Sequence, residues 1–239
     1  MGTIPDLNLT LPSRRSSDIG TRPSPRQSYR AFILSRSPSH SGPLVAFDFD
    51  GTLTVADSFT AFLRWRAGTG GWLKGLLSLA PETARYLVDR DRGRIKAAAV
   101  NRFLQGIEAG NLAEEAERFA DQVWGRFMRP DALTCWEDWG RKGAHRVIVT
   151  ASPALTVAPF ARRLGAEALL GTELALDAEG RITGAFLGEN CRGEEKVERL
   201  IRAYGPDAVL EAAYGDTSGD AEMLARARHP GFRRFRQRP

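Results

Sequence analysis

Three short apolar runs constrain this chain more than anything else in it: LVAF at 44–47, RVIVT at 146–150 and VLEAAY at 209–214. They are strand-length and nearly continuous in apolar character rather than alternating. Strands of that kind are buried on both faces, as in a parallel sheet covered by helices. Parallel neighbours need crossover connections, and helical periodicity fills the intervals between the runs. Each run also ends abruptly in polar residues: Asp48-Phe-Asp50-Gly, Thr150-Ala-Ser152, and Gly215-Asp216-Thr-Ser-Gly-Asp220. In open α/β sheets ligands bind outside the carboxyl ends of the strands, so three polar ends delivered to one edge predict one site.

Residues 57–140 read as helical almost throughout. Asp57 or Ser58 can cap a helix with Phe59, Phe62 and Leu63 on its apolar face. Ala116, Phe119, Ala120, Val123, Trp124 and Phe127 keep helical spacing within 112–127, and Asp131 opens a further helix ending at Gly140. This block is too long for a crossover and reads as an inserted cap, with the five tryptophans (65, 72, 124, 136 and 139) in its core. Beyond it, Ser152-Pro153 is a good N-cap and first helical position. TELALDAEGRITGAFL predicts a hairpin around Asp177–Gly180, and Val197, Leu200, Ile201 and Tyr204 predict a helix. The end, RHPGFRRFRQRP, is more basic than the final strand such a sheet calls for; a ragged tail is the alternative.

The net charge of +5 on 239 residues invites a nucleic-acid reading, but the charge sits at the ends. Residues 1–43 hold six Arg and two Asp, residues 229–239 hold four Arg and no acid, and the body between carries an excess of three acids. A nucleic-acid footprint needs a basic face on the folded domain, so no nucleic-acid partner is expected. Residues 1–43, rich in Ser, Arg and Pro, read as a disordered basic tail, with an organellar transit peptide or a start placed too far upstream as alternatives. Cys135 and Cys191 form no metal or disulfide pattern, which implies a reducing, cytoplasmic setting. The most apolar stretch, 72–88, is broken by Lys74, Pro81, Glu82 and Arg85 and cannot span a membrane. Trp72, Leu73, Leu76, Leu77 and Leu79 in it form an apolar face that either packs inside the cap or touches a membrane surface or an acyl chain.

Asp48, Asp50 and Asp216 converging on one edge would repel unless a cation sat among them. Hard oxygen donors with room for water and phosphate suit magnesium. A calcium loop fits poorly, since Thr52 and Phe59 stand where such a loop needs acidic ligands. Lys196, in the first turn of its helix, adds a second positive charge. Two carboxylates, a hydroxyl, a lysine and a cation are the parts of a phosphoryl-transfer site, one carboxylate attacking phosphorus and the other moving protons. Each residue also has a plainer reading: Asp48 and Asp50 as a turn, Thr150 as a strand-end hydroxyl, Lys196 as a solvated lysine, Asp220 as a helix N-terminal acid.

Taken together, DFDGTLT, VIVTASP, Lys196 within CRGEEKVERL, and GDTSGDAEML resemble the four motifs of the haloacid dehalogenase-like (HAD) superfamily. Their order, with helices between the first and second, resembles the subgroup that includes phosphoserine phosphatase. DSFTAFLRW, GTELALDAEGRITGAFLGENCRGEEK and AYGDTSGDAEML are similar to the HAD-IB hydrolases, a branch that includes a phosphatidylglycerophosphatase. The resemblance implies a Rossmann-like α/β core (44–56 plus 141–239) carrying a helical cap (57–140) that closes during phosphoryl transfer. It implies that Asp48 is the nucleophile, forming an aspartyl-phosphate, and that Asp50 is the general acid and base and a magnesium ligand through its carbonyl. It further implies that Thr150 holds a phosphoryl oxygen, that Lys196 neutralises the phosphate and Asp48, and that Asp216 ligates the metal with Asp220 in support. Two departures from the phosphoserine phosphatases stand out. Asp57 replaces a Glu after the first motif, and DRGRIKAAAVNRFLQG replaces the cap signature G-x-x-F-x-x-S-L-x-x-R-V, leaving Arg94 or Arg92 to grip a substrate anion. The expectation is a magnesium-dependent phosphomonoester hydrolase. Phosphoserine or a lipid phosphate is the narrower alternative; a mutase or phosphotransferase, or a silent fold used as an interaction module, is the broader one. Oligomeric state is left open.

Overall fold

The structure, a computed structural model, describes residues 42–80 and 92–239. The expected disordered tail therefore lies outside the described residues except for Gly42 and Pro43, as do residues 81–88 of the apolar stretch and the side chain of Arg92. Strand β1 (Leu44–Phe47) runs into a tight helical turn, Phe49–Leu53. Helices α1 (Ser58–Ser78), α2 (Arg92–Leu104), α3 (Ala109–Phe127) and α4 (Pro130–Arg141) follow, and then β2 (His145–Pro153). Helix α5 (Ala154–Leu164), β3 (Ala168–Thr172) and the β4–β5 hairpin (Leu174–Leu176, Ile182–Phe186) come next. Helix α6 (Glu194–Tyr204), β6 (Leu210–Gly215), a short turn at Ser218–Asp220, α7 (Ala221–Ala225) and β7 (Ala227–Phe232) complete the chain. The main sheet has the order β3-β2-β1-β6-β7, every neighbouring pair parallel. This is a Rossmann-like α/β core with helices inserted after its first strand.

The central strand shows why the apolar runs do not alternate. Val45 and Phe47 enter the core on one side of the sheet, with Ile148, Phe160 and Trp136. Leu44 and Ala46 enter the core on the other, with Val147, Val149, Leu200 and Met223. All four β1 residues are buried, so neither face tolerates a polar residue until the strand ends.

Several local expectations change under tertiary packing. Asp57 does cap α1, its carboxylate accepting from Thr60 N at 2.7 Å. Helix α4 starts one residue early because Pro130 occupies its first position. Ser152 and Pro153 extend β2 instead of opening a helix, and α5 begins at Ala154. Two strands join the three read from sequence. β3 is fully buried, whereas β7 is a largely exposed edge strand that tolerates Pro230. The basic end is packed: Phe235 is buried against Tyr214, centroids 5.2 Å apart. Asp131 accepts from Arg236 N and Gln237 N, and Arg129 donates to the Gln237 carbonyl. Trp136 lies against Phe47, so the last inserted helix covers the sheet itself. Among the described residues no helix is long and apolar enough to cross a membrane.

Candidate active site

The site lies where β1, β2 and β6 end. Asp48 continues the β1 ladder, its N–H donating to the Tyr214 carbonyl at 2.8 Å, and its carboxylate is buried. The turn that follows depends on Gly51, at φ +82°; a Cβ there would stand 2.3 Å from Asp216 Oδ2. Only glycine lets the first loop approach the third so closely. Gly215 plays the same part beside Asp220, whose Cβ a side chain would meet at 2.4 Å.

Lys196 reaches in from the first turn of α6. Its ammonium donates to Asp48 Oδ1 at 2.6 Å, to Asp220 Oδ1 at 2.7 Å and to the Val149 carbonyl at 2.7 Å, so all three N–H bonds are used. Burial opposes the ammonium, but Asp48 and Asp220 outweigh it and the Lys196 pKa rises. Asp220 is saturated as well, its second oxygen accepting from Asp216 N, Thr217 N and Thr217 Oγ1. Burial pushes its carboxyl up, and Lys196 with the Thr217 donors pulls it below the usual range. Asp48 goes the other way. Burial, joined by the charges of Asp220 and Asp50, overcomes Lys196 and lifts its pKa to about 7.

Asp50 is held apart from this cluster. Its Oδ1 accepts from Ser58 N at 2.7 Å, at the start of α1, and its Oδ2 from Ser152 Oγ at 2.5 Å. Burial and the nearby Asp57 charge raise its pKa. Asp48, Asp216 and Asp220 each place a carboxylate oxygen within 4.8 Å of the others. At an effective dielectric of about 20, each such pair repels by about 3–4 kcal/mol, more than one lysine offsets for three carboxylates. Asp216 Oδ1 is moreover buried without a hydrogen-bond partner among the described residues, and burial with Asp220 raises the Asp216 pKa. An orphaned carboxylate oxygen beside two further carboxylates is a fit for a hard divalent cation.

Thr150 is fully buried, and its hydroxyl accepts from Ser152 N at 3.1 Å. Arg94 is not brought to the carboxylates: it is exposed and lines a separate recess with Ser78 and Arg102. The helix it shares turns Lys96 inward instead, to the Ala151 carbonyl at 3.3 Å and Ser152 Oγ at 3.2 Å. Lys96 does not stand out in the sequence, and Ser152, although it belongs to the polar end of the second run, is read there only as a helix cap. Ser-Pro passes for a helix cap, and DRGRIKAAAV gives no pattern that sets Lys96 apart from its basic neighbours.

The carboxylates open onto a cavity of about 580 Å³. Asp48, Asp50, Lys196 and Asp216 form one end, and Phe59, Leu63, Trp72, Ile95, Leu79 and Phe103 make up much of the rest. The apolar face expected on 72–79 divides here. Trp72, Leu76 and Leu79 line the cavity, and Leu73 and Leu77 face solvent at 56% and 77% exposure.

Residues 45–225 match the family described as haloacid dehalogenase-like hydrolase. The chain is 55% identical over 200 residues to Protein CicA of Caulobacter vibrioides, across 84% of this chain and 90% of that one. Its fold is similar to that of a protein of unknown function from Bordetella pertussis, with a TM-score of 0.67 and 23% identity over 79% of this chain and 88% of that one. It is also similar in fold to a phosphoserine phosphatase solved as an analogue of its phospho-aspartyl intermediate, with a TM-score of 0.52 and 19% identity over 79% and 85% of the two chains.

Proposed function

The chain belongs to the haloacid dehalogenase-like hydrolase family, and from that premise we propose that it is a magnesium-dependent phosphomonoester hydrolase working through an aspartyl-phosphate on Asp48. The observation that carries this reading is the unequal setting of the two aspartates. Asp48 is buried against Lys196, with a carboxylate oxygen of Asp216 within 4.8 Å, while Asp50 is anchored apart by a backbone N–H and a hydroxyl. Two carboxylates in different environments are suited to different tasks.

In the first step Asp48 attacks phosphorus, the bond to the ester oxygen breaks, and Asp50 gives its proton to the departing alcohol. In the second step Asp50 takes a proton from water, the oxygen attacks phosphorus, and the bond to Asp48 breaks to release phosphate. Lys196 offsets the charge of Asp48 before attack and that of the phosphoryl group once it is bonded to Asp48. Thr150, which accepts one hydrogen bond, keeps its own proton for a phosphoryl oxygen. Asp48, Asp216 and the Asp50 carbonyl would hold magnesium, with Asp220 in support, and the bound ion would supply positive charge to the phosphoryl oxygens.

The cavity wall favours a narrower reading, a lipid phosphate over phosphoserine. A serine leaving group carries an ammonium and a carboxylate; Asp57, Lys96 and Arg192 also reach the cavity, but Phe59, Leu63, Trp72, Leu76, Leu79, Ile95 and Phe103 give most of its wall to hydrocarbon. A panel of phosphate esters assayed with magnesium tests both readings. Turnover that disappears in Asp48→Asn is expected, and no turnover of any ester would remove the hydrolase reading. Faster turnover of phosphoserine than of phosphatidylglycerophosphate would remove the narrower one.

A further inference from the structure

The general acid in this scheme is held by both parts of the molecule. The terminal torsion of an aspartate is broad, so a carboxylate gripped at one oxygen swings. Here Ser58 N, at the first residue of α1, holds Asp50 Oδ1, and Ser152 Oγ, at the end of β2, holds Oδ2. Ser152 is fully buried and is itself the acceptor of the Lys96 ammonium, which also binds the carbonyl of Ala151. Lys96 sits on α2, 55 residues before that loop in sequence, and the Phe59 ring lies 5.8 Å from its nitrogen. With Lys96 donating to Ser152 Oγ, the serine proton is left for Asp50. A continuous charge-assisted chain thus runs from an inserted helix, through the second motif, to the carboxylate that must meet the leaving group.

We propose that Lys96 and Ser152 are positioning residues for Asp50: Lys96 fixes the Ser152 hydroxyl, and Ser152 fixes the carboxylate orientation that delivers a proton to the departing alcohol. Proton delivery is then fully assembled only while α2 is seated on the core. The inference rests on the hydrolase reading above and adds to it a role for two residues that touch neither phosphorus nor metal.

The test is the dependence of kcat/KM on the leaving group, which reports the steps up to formation of the phosphoenzyme. A departing 2,4-dinitrophenolate needs no proton, and a departing alkoxide does. Ser152→Ala and Lys96→Met are expected to lower kcat/KM for an alkyl phosphate about 10- to 100-fold, within the range of general acid catalysis, and for 2,4-dinitrophenyl phosphate by about threefold or less. Ser152→Thr and Lys96→Arg are expected to restore most of the alkyl phosphate rate. Should Lys96→Met melt early, Ser152→Ala and Lys96→Arg still decide the question. Equal losses across the series, the mark of a substrate-anion contact or of general structural damage, would overturn the relay alone. A wild-type chain that turns over no member of the series would overturn the hydrolase reading and the relay with it.

Discussion

Lys196 and Asp48 form an ion pair 2.6 Å long in which the lysine side chain is 1% exposed and the aspartate 9%. A second bond from the same ammonium to Asp220 and a third to the Val149 carbonyl make one lysine on α6 the joint between the ends of β1, β2 and β6. Both side chains are almost wholly buried, so removing Lys196 leaves Asp48 and Asp220 without the cation that balances them.

Lys196→Met should therefore destabilise the fold by about 3–5 kcal/mol, the range for removing one partner of a buried pair, as well as abolish turnover. Urea unfolding at pH 7 measures the loss. The double variant Lys196→Met with Asp48→Asn should lose less than the sum of the two single changes, because the second removes the charge the first leaves uncompensated. Additive losses would mean that the pair is energetically uncoupled.

Magnesium should stabilise the protein more as pH rises. Burial, above all, lifts Asp48 from 3.8 to about 7 in the folded chain, and Asp216 is raised in the same direction. Between those pH values the metal-free folded state binds a proton that the unfolded state has released. On account of this group, metal-free stability falls as pH climbs through that window. A cation competes with that proton, so its hold strengthens over the same range. The rise in Tm produced by a fixed magnesium concentration is expected to be small at pH 5 and substantially larger at pH 8. An increment that does not change with pH would count against Asp48 as a ligand.

The carboxylates were legible in sequence because they break a local rule. A strand buried on both faces has no use for Asp48 or Asp50, and Asp216 repeats the offence after β6. Ser152 was placed at the polar end of the second run, but its part beside Asp50 was illegible for the opposite reason. Ser-Pro obeys the local rule for a helix start so well that only tertiary structure, which draws the hydroxyl to Asp50, reveals its other use. Lys96 could not be told from Arg92 and Arg94 without the angular position of α2 on the core. β3 lies directly against the hairpin sequence, and β7 carries little apolar signal because it is an edge strand, so both were missing from the runs that announced the sheet.

Gly51→Ala tests whether the first and third loops must touch. The substitution places a methyl group 2.3 Å from Asp216 Oδ2 in a backbone at φ +82°, which an L side chain adopts at a cost of about 1–2 kcal/mol. Because Asp216 is the group displaced, loss of magnesium response should exceed loss of stability. Thermal scans with and without the ion should show a Tm lowered by several degrees and a magnesium increment reduced to near zero. Full retention of the increment would show that Asp216 can ligate from a shifted loop.

The apolar wall yields the last prediction. Trp72 stacks on Phe103 with centroids 5.4 Å apart, and both line the cavity beyond the carboxylates. Hydrocarbon that fills the cavity exchanges water for these rings, and the part of that burial owed to one indole is on the order of 1–2 kcal/mol. Trp72→Ala should thus raise KM for a long-chain alkyl phosphate about 5- to 30-fold, with kcat little changed, since the contact is made equally in the ground state and the transition state. Inhibition by inorganic phosphate, which reaches only the carboxylate end, should keep its potency. A KM that does not move would place the alkyl chain elsewhere, and weakened inhibition by phosphate would show that Trp72 supports the reacting end of the cavity and not its wall.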